Sequence, residues 1–347
     1  MSKQTRHEQF MSTIKSTEIM DWEDLHVMRK LCFYLALFLN KLDINPNTVT
    51  IWSMVLGAGS AYFFASGSFY YNGWEGLLYN IIAVAMLYVA DVCDNTDGQL
   101  ARLSGKHSKI GRILDGMAGF VWFVPIYLAL AWRMYQHHDV EFSFLGIPNN
   151  ETTSIVYGII VLVMVFYAGF ACNSGQQRMS DYYVQVHLFF QKGEGGTEFD
   201  NAAQQADELA KMTKENSSWF ERLFMKNYVG YTQMQEKETP EFQRFLKVAN
   251  QKYGGASLIP AEIRKLMHAG SLSCMWLNHL VAFKYRAMSL ALFVILDVPL
   301  LHFLFEIIVL GYLTHLMIKR HEAFCKECTA KLLITDYGIF NKNTKKL

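Results

Sequence analysis

The 347-residue chain is 52% hydrophobic and 14% aromatic but only 18% charged, below the roughly 25% charged of ordinary soluble domains, which excludes a conventional soluble protein. A formal net charge of +1 excludes a nucleic-acid reader built on a bulk basic surface. The mean hydropathy of only +0.10 requires the apolar residues to be clustered, and six scattered cysteines give no disulfide framework.

Residues 1–45 open on the polar stretch MSKQTRHEQF, which has no apolar signal core. Over 21–42, acids lead an apolar second half. That predicts a helix along the membrane surface, with a short buried core helix as the alternative. Pro46 and Asn47 interrupt it. Residues 46–190 then hold four predicted transmembrane helices, near 48–67, 76–93, 113–132 and 154–172, each about the length that crosses a bilayer core. Residues 191–265 change character: after Gly193, Gly195 and Gly196 the sequence is charged, Gln-rich and amphipathic, with no run long enough to cross. This predicts a cytoplasmic helical insert. Residues 266–320 close the membrane part with two tightly joined spans near 287–296 and 301–318, turning at Asp297-Val298-Pro299. His268, Asn278, His279 and Lys284 argue against a further crossing at 266–283. Residues 321–347 form a tail. The expected fold is an all-α integral membrane protein of about six transmembrane helices, with an N-terminal interfacial helix and the insert.

Lys and Arg set the orientation. Arg29, Lys30 and Lys41 precede the first span, Arg102, Lys106, Lys109 and Arg112 crowd the second loop, and Lys319, Arg320 and Lys326 follow the last span. The loop 69–75 has none. Both termini, the second loop and the insert are therefore expected on the cytoplasmic side.

On that side lie the acids. Asp91, Asp94 and Asp97 end the second span, followed by Gly98, Ala101 and Arg102. Ionisable groups at membrane depth cost about 2.5–3.5 kcal/mol each on the conservative scale, so three within seven residues need neutralising. Asp94 and Asp97 share a helix surface. Asp115 begins the next span, and helices joined by a short loop are usually adjacent and antiparallel, so it can meet them. Clustered carboxylates repel unless a hard divalent cation sits between them; Mg²⁺ or Mn²⁺ suits an all-oxygen set. Gly98 lets a substrate approach the backbone, and Arg102 offers a planar fork for phosphate. Together these predict metal-assisted phosphoryl transfer to an amphiphile at the membrane surface. The alternative is a set of helix-end acids neutralised by the neighbouring basic loop.

The pattern Asp94-x-x-Asp97-Gly98-x-x-Ala101-Arg102, eight residues, then Gly111-x-x-x-Asp115 resembles the signature of the CDP-alcohol phosphotransferase family. Asn45-Pro46-Asn47-Thr48-Val49-Thr50 is similar to the family's Pro-Asn lead-in to the first span. The resemblance implies a six-span core with a surface helix before it, and a homodimer. It implies that Asp94, Asp97 and Asp115 hold a two-metal site of Mg²⁺ or Mn²⁺ bridging a CDP pyrophosphate, with Asp91 as a further candidate ligand. It implies that Gly98, Ala101 and Gly111 make room for cytidine, and that Asn47 and Arg102 lie against substrate. The implied reaction displaces CMP from a CDP-linked lipid or alcohol by an alcohol hydroxyl in the bilayer, CDP-diacylglycerol being the favoured donor.

One position departs from the family pattern. Where the motif continues Asp-x-x-x-Asp, this chain has Gly119, so the expected second ligand and proton acceptor is missing. Losing a general base typically costs 100- to 10,000-fold. Asp91 and His107 are the candidate substitutes. The alternative function is a degenerate member that binds nucleotide or lipid and regulates; a transporter fits less well, because the acids sit at helix ends. Elsewhere, Cys325-Lys-Glu-Cys328 with His321 upstream has zinc-like spacing, yet lacks the second pair a structural site normally needs. Arg178, Asp181, Tyr182, Tyr183 and His187 read as acceptor contacts or as an amphipathic helix end. Asp297, His302 and Glu306 read as a lumenal turn and interhelical hydrogen bonds.

Overall fold

The computed structural model describes residues 5–106, 109–193, 201–213 and 217–343, and every regular element among them is helical. The chain divides into two compact units: residues 1–174 with 283–309, and residues 175–282 with 310–347. Five helical runs are long and apolar enough to cross a membrane: Pro46–Ser66, Phe69–Ser104, Leu114–Gln136, Glu151–Lys192 and Pro299–Ile334. The protein is a multi-pass membrane protein. The sixth expected span, near 287–296, falls in a helix of only 13 residues, Phe283–Ile295. At 1.5 Å per residue it reaches about 20 Å, short of a bilayer core of about 30 Å.

The first unit begins with α1 (Arg6–Ser12) and a π-helical turn, Asp24–Met28, that runs into α2 (Arg29–Lys41). A helix is therefore present over the predicted stretch. Its two faces differ in partner rather than in polarity. Cys32, Phe33, Ala36 and Leu39 are buried, while Leu31, Tyr34, Phe38 and Leu42 are exposed. A helix with one apolar face on protein and a second left open suits the interface of a bilayer.

The next helices follow from their caps. α3 (Pro46–Ser66) starts where the Asn45 side chain accepts the Asn47 N–H at 3.0 Å and Pro46 takes the first helical position, whose N–H has no helical partner anyway. α4 (Phe69–Ser104) is capped by the Ser68 hydroxyl, loses helical geometry at Gly73 (φ 58°), and ends at Gly105 in the left-handed region. α5 (Lys109–Gln136) follows, then α6 (His138–Leu145). α7 (Glu151–Phe166) runs through a π-helical stretch, Tyr167–Asn173, into α8 (Ser174–Lys192).

α3 packs on both α4 and α5. At that crossing a Cβ added to Gly57 would lie 2.2 Å from Cδ1 of Trp122, itself buried. Overpacking of this kind costs about 1–3 kcal/mol. Gly57→Ala is expected to lower the unfolding midpoint in detergent, and an unchanged midpoint would show that Trp122 can yield. The apolar core here gathers Phe64, Leu87, Trp122, Ile126, Val165 and Phe303.

The unit closes with α14 (Phe283–Ile295) and α15 (Pro299–Leu304). Between them Asp297 adopts φ 62° and accepts from the Ser68 hydroxyl and the Tyr70 N–H, both at 2.8 Å, while pairing with Arg133. Deeper, Arg286 Nε donates to Glu306 at 3.1 Å, the Tyr127 hydroxyl donates to the same carboxylate, and Ser289 bonds His302 at 3.0 Å. The polar residues of this region are thus a turn and interhelical bonds, as the sequence suggested. Burial alone would raise the Asp297 carboxyl, but the Tyr70 amide, Arg133 and Ser68 outweigh it and hold it below its ordinary value. A depressed carboxyl stabilises the fold above its unfolded-state pKa, and that contribution is lost as pH falls through the folded one. Asp297→Asn is expected to flatten the acid side of the stability profile, read as unfolding midpoint against pH from about 5 downward, the region where depressed carboxylates are lost.

The second unit takes α8 together with α9 (Ala202–Lys211), α10 (Trp219–Glu238), α11 (Pro240–Tyr253), α12 (Ala261–Leu272), α13 (Met275–Val281) and α16 (Gly311–Asn343). α11, α12 and α13 all pack on α16. At 12 and 7 residues, α12 and α13 are too short to cross, in keeping with the argument against a span at 266–283. Arg178 pairs with Glu238 at 2.6 Å, Asp181 accepts from Tyr231 at 3.0 Å, Tyr182 accepts from Gln243 at 2.8 Å, and His187 bonds Ser271 at 2.8 Å. These side chains bond to other helices of the unit, with Asp181 exposed and Tyr182 and His187 buried.

Candidate functional site

α4 runs 36 residues, is apolar through its middle and gathers its Asp residues in its last part. There Asp91, Asp94 and Asp97 come at three-residue steps and so share one side of the helix. α5, after the short connection past Gly105, brings Asp115 back towards them. One carboxylate oxygen from each of Asp94, Asp97 and Asp115 lies within 4.8 Å of the others. The convergence predicted from spacing is present.

The three acids differ in surroundings. Asp97 is buried, Asp94 half-buried and Asp115 exposed, so the cluster has a closed and an open side. On the closed side the Thr50 hydroxyl, from the second turn of α3, donates to Asp97 Oδ2. Asp94 Oδ1 is buried with no hydrogen-bond partner. Three carboxylates at such separations repel by about 3–4 kcal/mol per pair at an effective dielectric near 20, and a buried anionic oxygen without a donor adds a desolvation penalty. Both costs are what a hard divalent cation removes, and the donor set is all oxygen. The residues fit the metal.

Asp91 stands apart from this group. The Asn95 side chain donates to its Oδ1 and to its backbone carbonyl, each at 3.0 Å. Gly98 and Ala101 are half-buried on the turn after Asp97. Arg102 lies along that turn: a Cβ on Gly98 would come 3.6 Å from Arg102 Nη2, while Nε donates to the Thr13 carbonyl at 2.7 Å. One edge of the guanidinium is therefore tied to the N-terminal segment. Asn47 occupies the first turn of α3, three residues before Thr50. Gly111, Asp115 and Gly119 follow one another at four-residue steps on α5, which keeps them on one face. His107 lies outside the described residues.

Sequence reasoning missed Thr50 and Gln99. The side-chain amide of Gln99 donates to the Arg29 carbonyl at 3.2 Å and joins α4 to α2 just below the acids. Thr50 is separated from Asp97 by 47 residues, and in the sequence it stands only as the last residue of the Pro-Asn lead-in, one turn into a capped helix.

Residues 43–186 match the model of the family described as CDP-alcohol phosphatidyltransferase, a stretch that contains all three converging acids. No curated protein and no solved structure matches the chain.

Proposed function

From the CDP-alcohol phosphatidyltransferase domain at residues 43–186, a membrane transferase family that acts on CDP-alcohols with divalent metals, we propose that this chain moves a phosphatidyl or phospho-alcohol group from a CDP-activated donor to an alcohol hydroxyl, releasing CMP. CDP-diacylglycerol is the favoured donor. The observation that carries this reading is the convergence of Asp94, Asp97 and Asp115, with an unpartnered oxygen on Asp94, at the polar end of apolar helices.

In this reading Asp94, Asp97 and Asp115 hold Mg²⁺ or Mn²⁺. The bound ions would neutralise the pyrophosphate and polarise its oxygens as Lewis acids. Thr50 holds the Asp97 carboxylate by one oxygen, which spares reorganisation when the ion binds. Gly98 and Ala101 leave room for a flat base. Arg102, with Nε already engaged, has its two Nη groups for phosphate. The exposed side at Asp115 admits the substrate, and the excess of Lys and Arg in the adjoining segments supports a cytoplasmic placement of this side. Gly119 provides no proton acceptor, so turnover is slow relative to a site with four carboxylates.

The test is CMP release by the full-length protein in detergent, with CDP-diacylglycerol, Mg²⁺ or Mn²⁺ and a panel of acceptor alcohols, then with CDP-choline and CDP-ethanolamine. Acceptor-dependent release supports the transferase. Gly119 favours one second reading, a member that binds but does not turn over. Metal-dependent CDP binding without release from any donor would establish it. Thr50→Val is expected to weaken metal affinity by about 10- to 100-fold, the usual effect of losing an outer partner, measured by Mn²⁺ titration.

A further inference from the structure

A second group of ligand-type side chains converges in the unit of residues 175–282 and 310–347. On α16, His321, Glu322 and Cys325 each turn one ligand atom into a common space, all within 4.8 Å of one another. The individual separations are informative. His321 Nδ1 stands 3.7 Å from Cys325 Sγ and 3.5 Å from Glu322 Oε1. A nitrogen–oxygen hydrogen bond settles near 2.9 Å, and Glu322 Oε1 is buried without such a partner. Around a tetrahedral ion with bonds of about 2.3 Å to sulfur and 2.0–2.1 Å to nitrogen or oxygen, ligand atoms stand about 3.3–3.6 Å apart. The 3.5 Å spacing is loose for a nitrogen–oxygen hydrogen bond, the 3.7 Å spacing is within reach of a sulfur one, and both are close to that edge length.

The group is also braced from behind. The other oxygen of Glu322 accepts the Glu241 N–H, in the first turn of α11, at 2.5 Å. The His321 ring stacks on Tyr183 with centroids 4.1 Å apart and meets the edges of Phe324 and Phe242. His321 is 1% exposed and Cys325 fully buried. Cys328, which linear spacing offered as the partner of Cys325, is not in the group. One helix turn brings positions 321 and 325 onto one face, and 322 stands beside them.

We propose that His321, Glu322 and Cys325 form a Zn²⁺ site distinct from the carboxylate cluster. A thiolate, an imidazole and one carboxylate suit Zn²⁺ rather than Mg²⁺ or Mn²⁺. On binding, the Cys325 thiol gives its proton to solvent and the ion gains bonds to Sγ, Nδ1 and Oε1, with water in the fourth position. Thiolate and carboxylate together cancel the charge of the ion, which suits a buried place. Because Glu322 is anchored to the start of α11, the ion clips α16 to that helix.

The test uses full-length protein purified in detergent without chelator, in an Asp97→Asn background that disables the carboxylate cluster. One Zn²⁺ per chain is expected, and Co²⁺ exchanged into the site should give a sulfur-to-metal charge-transfer band, which an all-oxygen cluster cannot produce. Cys325→Ser should abolish the band and weaken Zn²⁺ binding by at least about 100-fold, more than the loss of an outer partner does. His321→Gln should weaken binding likewise, and Cys328→Ser should leave both readouts intact. Absence of the band, unchanged zinc content in Cys325→Ser and His321→Gln, or loss of the band in Cys328→Ser would each overturn the proposal. Should Cys325→Ser fail to fold, the unsubstituted residues still decide it: the Co²⁺ band must saturate at one ion per chain and vanish when Zn²⁺ displaces the Co²⁺, and its absence refutes the site.

Discussion

Asp97→Asn is expected to reduce metal-dependent substrate binding, and CMP release with it, by at least about 100-fold, beyond the loss that removing an outer partner causes. The replacement keeps the shape of the side chain and an oxygen that can still accept from Thr50, so the change is one of charge. Its effect on stability should have the opposite sign. Without metal, Asp97 adds a like charge to Asp94 and Asp115 within 4.8 Å, and removing it relieves repulsion. The metal-free variant should therefore melt at or above the unsubstituted protein. Added Mg²⁺ should raise the unsubstituted protein's midpoint through linkage, by about 2.7 kcal/mol at a hundredfold excess over Kd, and leave the variant unmoved. Thermal melts with and without chelator check both halves. A variant that melts lower without metal and still responds to Mg²⁺ would reduce the acids to helix-end charges balanced by the basic loop.

Gly119→Asp is the second large effect, and it should be a gain. Position 119 lies one helical turn beyond Asp115 on an unbroken α5 and is partly exposed, so a carboxylate there faces the open side of the cluster. A general base contributes typically 100- to 10,000-fold, and acceptor-dependent CMP release should rise within that range. Gly is also the poorer helix former, which offsets part of the repulsion that a fourth carboxylate adds without metal. A rate that stays constant, with an unaltered pH profile, would show that another group already takes the proton from the alcohol.

How far the sequence reaches depends on the range of each interaction. The long apolar runs and the acids at fixed helical steps are local patterns, and the helices and the Asp94–Asp97–Asp115 convergence follow from them. Thr50 is not local: its partner is on another helix, and a threonine one turn past a cap looks the same whether it bonds a carboxylate or its own backbone. The turn at Asp297-Val298-Pro299 between the last two apolar runs is legible in the sequence, but Ser68, Tyr70 and Arg133, which hold it, come from distant parts of the chain. In the same way, Cys325 pointed to Cys328 by linear spacing, whereas helical geometry joins it to His321 and Glu322.

The break in α4 at Gly73 makes the rest of that helix a gauge. From Trp74 to Asp94 is 20 residues, about 30 Å of rise, which equals the thickness of a hydrocarbon core. Depth of the carboxylates is thus counted out in residues from the far side of the membrane. One residue inserted between 78 and 89 would push them about 1.5 Å outward and swing them about 100° away from Asp115. Lipids with longer acyl chains would draw the same carboxylates towards the hydrocarbon, or force the helix to tilt. The proposed transfer is consequently expected to depend on the thickness of the bilayer.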